Sequence, residues 1–275
     1  MGADVSFLEP AFMQRALIAA LIVGMTAPAI GIFLVQRRLA LMGDGIGHVA
    51  LTGVALGFLL GTAPVLTAIV LAVVGAVAIE LLRQRGQTSG DVALALLFYG
   101  GIAGGVLLIG LAPGGSNASL ISYLFGSIAS VDRTDLTVIA GLGAGVLGVV
   151  SLLRRELFAV CHDEEVARVS GLPVRSLNMV VAVTAAVTVT VAMRVVGLLL
   201  VSALMVVPVA TAQLWARSFG QTLASSVAVG VLVSVGGLIV AFYVDVAPGA
   251  TIVLCAIGVF LLTFLATAVR TAVAR

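Results

Sequence analysis

The sequence predicts an all-α, polytopic membrane protein built as a single transmembrane domain over residues 1–275. Three observations lead there. Of its 275 residues 61% are hydrophobic and only 9% are charged, whereas a soluble domain carries roughly a quarter of charged residues to cover its surface. The mean hydropathy is +1.28. The apolar residues also fall in runs of about twenty, the length that crosses the hydrocarbon core as a helix. The short period-two segments of a membrane barrel do not occur.

Nine helices are expected, near 11–35, 45–62, 64–82, 91–112, 132–153, 175–193, 195–214, 220–242 and 249–269, with eight or ten as alternatives. The first follows "MGADVSFLEP", which is slightly acidic where a cleaved signal peptide is basic, so it is kept as a span. The fourth opens after "QTSG" with Asp91 as its cap. The fifth starts at Asp132 and Asp135 on an outer face, where solvation or contact with a delivery protein explains the pair. It carries Gly141, Gly145 and Gly148, small residues that let helices approach closely. The stretch from Asn178 to Gln213 is too long for one span and holds Arg194 near its middle, so a tight hairpin divides it. Pro208 must interrupt the hydrogen-bond ladder of the second half, as a hinge or a packing bend.

Arginine placement sets the orientation. All 14 basic residues are Arg. With the N-terminus outside, the inner connections and C-terminus hold Arg37, Arg38, Arg83, Arg85, Arg154, Arg155, Arg168, Arg175, Arg217, Arg270 and Arg275. Only Arg15, Arg133 and Arg194 remain outside. The C-terminus is therefore expected inside. A net charge of +2, spread along the chain, gives no footprint for nucleic acid. Cys161 in a polar loop and Cys255 in an apolar span imply no disulfide framework. Glu80, three residues before Arg83 at an inner helix end, fits a snorkelling pair.

Within "LALMGDGIGHVALTGVALGFLLG", Asp44 and His48 stand four apart inside an apolar helix. Residues at that spacing share one face, with Cβ atoms about 5–6 Å apart, so a carboxylate oxygen and an imidazole nitrogen reach one divalent ion. That pair suits Zn²⁺, and Mn²⁺ or Fe²⁺ less selectively. The plain alternative makes Asp44 a helix cap and bonds His48 to a nearby carbonyl. Ionisable residues in a membrane usually face a substrate path, because their insertion needs a compensating partner. Two ligands do not complete a metal shell, and a two-fold homodimer would bring a second pair to the axis.

The longest inner connection is "RRELFAVCHDEEVARVSGLPVRS". Its middle reads as one short helix, with Asp163, Glu164 and Glu165 towards the start and Arg168 towards the end, as the helix dipole favours. Gly171 and Pro173 stop it. Val166 and Val169 form a small apolar stripe, which fits either a solvated connector or a helix that docks on a cytoplasmic partner. Adjacent Cys161 and His162 have too few neighbours to make a metal site. Without Lys the chain has no phosphate loop of the G-x-x-x-x-G-K-[ST] type, and it has no H-E-x-x-H. No enzymatic activity of its own is expected; an ion gradient or a separate ATPase must power any active transport.

"RRLALMGDGIGHVALTGVALG" resembles the signature of the ABC-3 family of metal-ion permeases. Further stretches follow in the family's order: "SGDVALALLFYGGIAGGVLLIGLAP", "SYLFGSIASVDRTDL", "FAVCHDEEVARVSGLPV" and "VGLLLVSALMVVPVATAQL". The resemblance implies a homodimeric permease in a bacterial-type cytoplasmic membrane, bound to a cytoplasmic ATPase dimer and fed by an extracytoplasmic metal-binding protein. It implies that Asp44 and His48 line the metal route, that 156–171 is the coupling helix, and that ATP is held by the partner, with no bound cofactor here. Surrounding lipid is the other partner. One departure stands out: Leu51-Thr52-Gly53 replaces an "LPG" frequent in the family. Zinc is the expected cargo, because it binds N/O sites more tightly than the alternatives, manganese and iron. A secondary, proton-coupled metal transporter is the rival from another class, and a non-transporting scaffold is a third.

Overall fold

Each long apolar run forms a helix, since every backbone group in lipid must find its partner within the segment. The computed structural model describes residues 11–84, 90–112, 123–124, 126, 132–193 and 197–273. Four helices precede a gap in that description: α1 (Ala11–Gln36), α2 (Met42–Leu60), α3 (Pro64–Gln84) and α4 (Gly90–Leu111). Then come α5 (Arg133–Leu152), α6 (Arg154–His162), α7 (Glu164–Val169), α8 (Val174–Met193), α9 (Leu198–Gln213), α10 (Phe219–Val244) and α11 (Pro248–Val273).

Among the described residues eight helices are long and apolar enough to span a membrane. The ninth expected span, α9, has 16 residues, or about 24 Å of helix, which is short of a hydrocarbon core of about 30 Å. Its place explains the shortness. It packs against α1, α2, α8, α10 and α11, so protein and not lipid surrounds it. The hairpin centred on Arg194 lies outside the described residues.

Close crossings rest on small residues. A Cβ on Gly24 of α1 would sit 2.9 Å from the Gly230 carbonyl oxygen of α10. A Cβ on Gly31 would collide with the Met205 carbonyl of α9. Pro28 lies within α1 and Pro208 within α9, both inside continuous helices. Threonines buried in α8 satisfy themselves: the Thr188 and Thr190 hydroxyls each donate to the carbonyl four residues back at 2.8 Å.

Several charged side chains at the helix ends are paired. Glu80 accepts two hydrogen bonds from Arg83 at 3.0 Å and one from Gln84 at 3.0 Å. The pair exists as expected, but Glu80 is 1% exposed. It turns inward to Arg83 and does not snorkel. Asp132 and Asp135 form a reciprocal capping box on α5, with the Asp135 N–H donating to Asp132 at 2.7 Å.

The connection expected as one short helix is two. Asp163 is extended and breaks the run into α6 and α7. Its Oδ1 accepts from the N–H groups of Glu165 at 2.9 Å and Val166 at 3.0 Å, which starts the new helix. Gly171 has φ +83°, the left-handed turn glycine adopts freely, and the Leu172 N–H closes the end on the Ala167 carbonyl at 3.1 Å.

Candidate metal centre

α2 begins at Met42 with Leu41 as its cap residue, and no side chain caps it. Asp44 therefore lies inside the first turn, and its carboxylate is used elsewhere. Ser202 of α9 donates its hydroxyl to Asp44 Oδ1 at 2.5 Å. Asp44, with Leu41 of α2's start and Leu94, Ala95, Phe98 and Tyr99 of α4, lines a cavity of about 410 Å³. His48 sits one helical turn on, buried, with its ring edge-on to Phe98 at 4.6 Å. Its Nδ1 has no hydrogen-bond partner. A buried unpaired ring nitrogen costs free energy, and this one stands beside a carboxylate and a cavity.

The floor of the site is backbone. A Cβ on Gly101 of α4 would lie 2.6 Å from the His48 carbonyl carbon and 2.7 Å from the Val49 nitrogen. Only glycine lets α4 press there. Thr52 secures the crossing, donating its hydroxyl to the Gly101 carbonyl at 2.6 Å and lying 3.2 Å from the His48 carbonyl. This is the residue at the family's frequent Pro position. A proline there would clash with the His48 carbonyl, four residues back. Thr52 instead keeps α2 unbroken from Met42 to Leu60 and ties it to α4.

Asp44 and His48 stand out in the sequence, whereas Ser202, Phe98 and Gly101, which the fold places around them, do not. Their signal is three-dimensional, since a hydroxyl or a glycine in an apolar run looks like ordinary packing. Among the described residues no three of His, Cys, Asp and Glu gather as metal ligands. Asp44 and His48 stand as a pair in one chain. His162 lies away from it, stacked on Phe158 with ring centroids 5.7 Å apart.

The expected coupling residues fall into two groups. Glu164 is half-buried, 3.8 Å from Arg37 and 3.4 Å from Arg168, and accepts from the Asn178 amide at 3.4 Å. Asp163 and Gly171 shape the two ends of α7, while Glu165 and Arg168 are exposed. Val166 and Val169 stand out at 61% and 90% exposed. Burial, then the neighbouring Arg83, push the Arg37 guanidinium below its usual range. Burial pushes the Cys161 thiol up to about 11, and that thiol donates to the Phe33 carbonyl at 3.7 Å. Pro208 is buried within α9, two turns after Ser202.

The chain matches the family described as "ABC 3 transport family" over residues 9–267. It is 35% identical to the manganese import system permease protein ScaB of Streptococcus parasanguinis, covering 92% of this chain and 90% of that protein. It is 31% identical to the high-affinity zinc uptake system membrane protein ZnuB of Haemophilus influenzae, covering 90% and 95%. The solved structure of PsaBC from Streptococcus pneumoniae in complex with Fab superposes with a TM-score of 0.84 at 35% identity, covering 93% of this chain and 92% of that one. The fold, the ordered motifs and these matches agree: this multi-pass membrane protein belongs to the ABC 3 transport family, as a permease subunit of metal-ion importers.

Proposed function

We propose that this chain carries a divalent first-row transition metal across the cytoplasmic membrane by alternating access, as a homodimer driven by a cytoplasmic ATPase dimer. An extracytoplasmic binding protein delivers the ion. Asp44 and His48 of each protomer hold it briefly, supplying two oxygens and two nitrogens across the dimer axis. The observation that carries this reading is the unpaired Nδ1 of His48 one turn from an Asp44 fixed by Ser202, beside a cavity.

Coupling runs through α7. Its exposed Val166 and Val169 meet the ATPase, with Glu165 and Arg168 around them, while Glu164 fastens the helix to Arg37 and Asn178. Movement of α7 is thereby passed to α1 and α8. Pro208, which removes one hydrogen bond from the ladder of α9, is the hinge at which that helix flexes near Ser202. The chain itself performs no covalent chemistry.

Manganese is the proposed cargo, since the relatives named for it include the one at 35% identity. Zinc is the second reading, favoured by the donor set and its tighter binding to imidazole. Vesicles containing the permease with its ATPase and binding protein, offered Mn²⁺ and Zn²⁺ separately, test it. ATP-dependent accumulation of Mn²⁺ in preference to Zn²⁺ is expected. Uptake by the permease alone under a pH gradient would instead establish secondary transport.

A further inference from the structure

Two adjoining cavities lie at the arginine-rich end, beside the coupling helix α7. The first, about 640 Å³, lies between the end of α3, α7 and the start of α8, lined by Arg83, Arg168 and Arg175 with Glu164 and Gln84. The second, about 560 Å³, shares Gln84, Arg175 and Ser176 with it. It continues along α8 past Met179, Val180 and Val183 to Val149 of α5. A basic chamber thus opens directly into an apolar groove on the membrane-spanning part of one helix.

The charges do not cancel. Arg83 is matched by Glu80, and Arg37 and Arg168 share Glu164. The chamber wall itself holds three arginines, Arg83, Arg168 and Arg175, against one carboxylate, Glu164. Arg175 has no carboxylate within ion-pair distance among the described residues and is exposed to the chamber. The positive end of α8, at Pro173 to Ser176, lines the same space.

We propose that this compound cavity binds one anionic phospholipid, its phosphate on Arg175 and Arg168 and one acyl chain in the Met179–Val183 groove. Basic pockets between membrane helices at the headgroup layer recognise such lipids, and the apolar extension selects a lipid over a free anion. Because Arg168 and Glu164 belong to α7, the bound headgroup braces the helix that receives the ATPase stroke. The site requires only that this end of the bundle lie at a headgroup layer.

The full-length chain in mild detergent, titrated under native mass spectrometry, tests this. The probes are phosphatidylglycerol, phosphatidylcholine with the same acyl chains, and inorganic phosphate. One phosphatidylglycerol per chain should be held about fivefold more tightly than phosphatidylcholine, the worth of one basic residue at the surface. Arg175→Gln should abolish that preference, while Arg155→Gln, an exposed arginine outside the cavity, leaves it. Val183→Trp, which fills the groove, should weaken retention of both lipids. Equal retention of the two lipids in the wild type, or an unchanged preference in Arg175→Gln, overturns the proposal. So does saturation by inorganic phosphate, which makes it a small-anion site. Loss of the lipid on adding the ATPase would assign the chamber to that partner and also overturn it.

Discussion

His48 and Asp44 were legible because an ionisable pair inside an apolar run is costly and so demands a reason. Ser202, 158 residues away from Asp44 in sequence, was not. Only the packing of α9 against α2 brings the hydroxyl to the carboxylate. Cys161 likewise gave no sign of its setting, which is the carbonyl of Phe33 and a buried flank of α6. Its thiol is pushed from the ordinary 9.0 up to about 11, chiefly by burial, with Arg37 and Arg83 opposing. At pH 8 it should hold on the order of a hundredfold less thiolate than a free cysteine and resist iodoacetamide accordingly. The linkage sign follows. Below pH 9 the thiol is neutral folded or unfolded, and its contribution to stability is intact. Between pH 9 and about 11 the unfolded chain loses the proton first, so stability falls as pH rises. Alkylation rates followed by mass against pH check the thiolate statement, and chemical unfolding across the same pH range checks the stability statement.

Helix positions followed from run length and punctuation, and nine of the expected segments coincide with helices. Two elements departed from expectation, each for a local physical reason. α9 is too short to span lipid because neighbouring helices surround it. α7 is separate from α6 because the Asp163 side chain competes for backbone N–H groups and restarts the helix. The α2–α4 crossing was invisible in sequence, since Gly101 is one glycine among 32. It predicts that Gly101→Leu forces α4 off the His48 backbone, at a cost of about 1–3 kcal/mol from overpacking. Thermal unfolding of the purified variant should reveal that loss. Gly100→Leu, whose Cβ meets open space, should leave stability nearly unchanged.

For the molecule as a whole, the arginine count in the loops yielded an orientation, and the fold gathers those loops at one end through the Arg37–Glu164 and Gln84–Arg175 contacts. Val169, 90% exposed at that end, reports on it. In a chain with Cys161 and Cys255 changed to Ser, Val169→Cys should react with an impermeant maleimide in inside-out vesicles. Right-side-out vesicles should protect it; the reverse pattern inverts the topology. Dimerisation was expected both from the family resemblance and from a metal shell that two ligands of one chain leave incomplete. The central claim is that Asp44 and His48 are the cargo's ligands. The direct measurement is ATP-dependent metal uptake by the reconstituted permease and ATPase, comparing wild type with Asp44→Ala and His48→Ala. Correctly assembled variants that hydrolyse ATP yet accumulate no metal are the predicted result. Uptake at the wild-type rate in both variants would contradict the account and leave the pair a structural feature of α2.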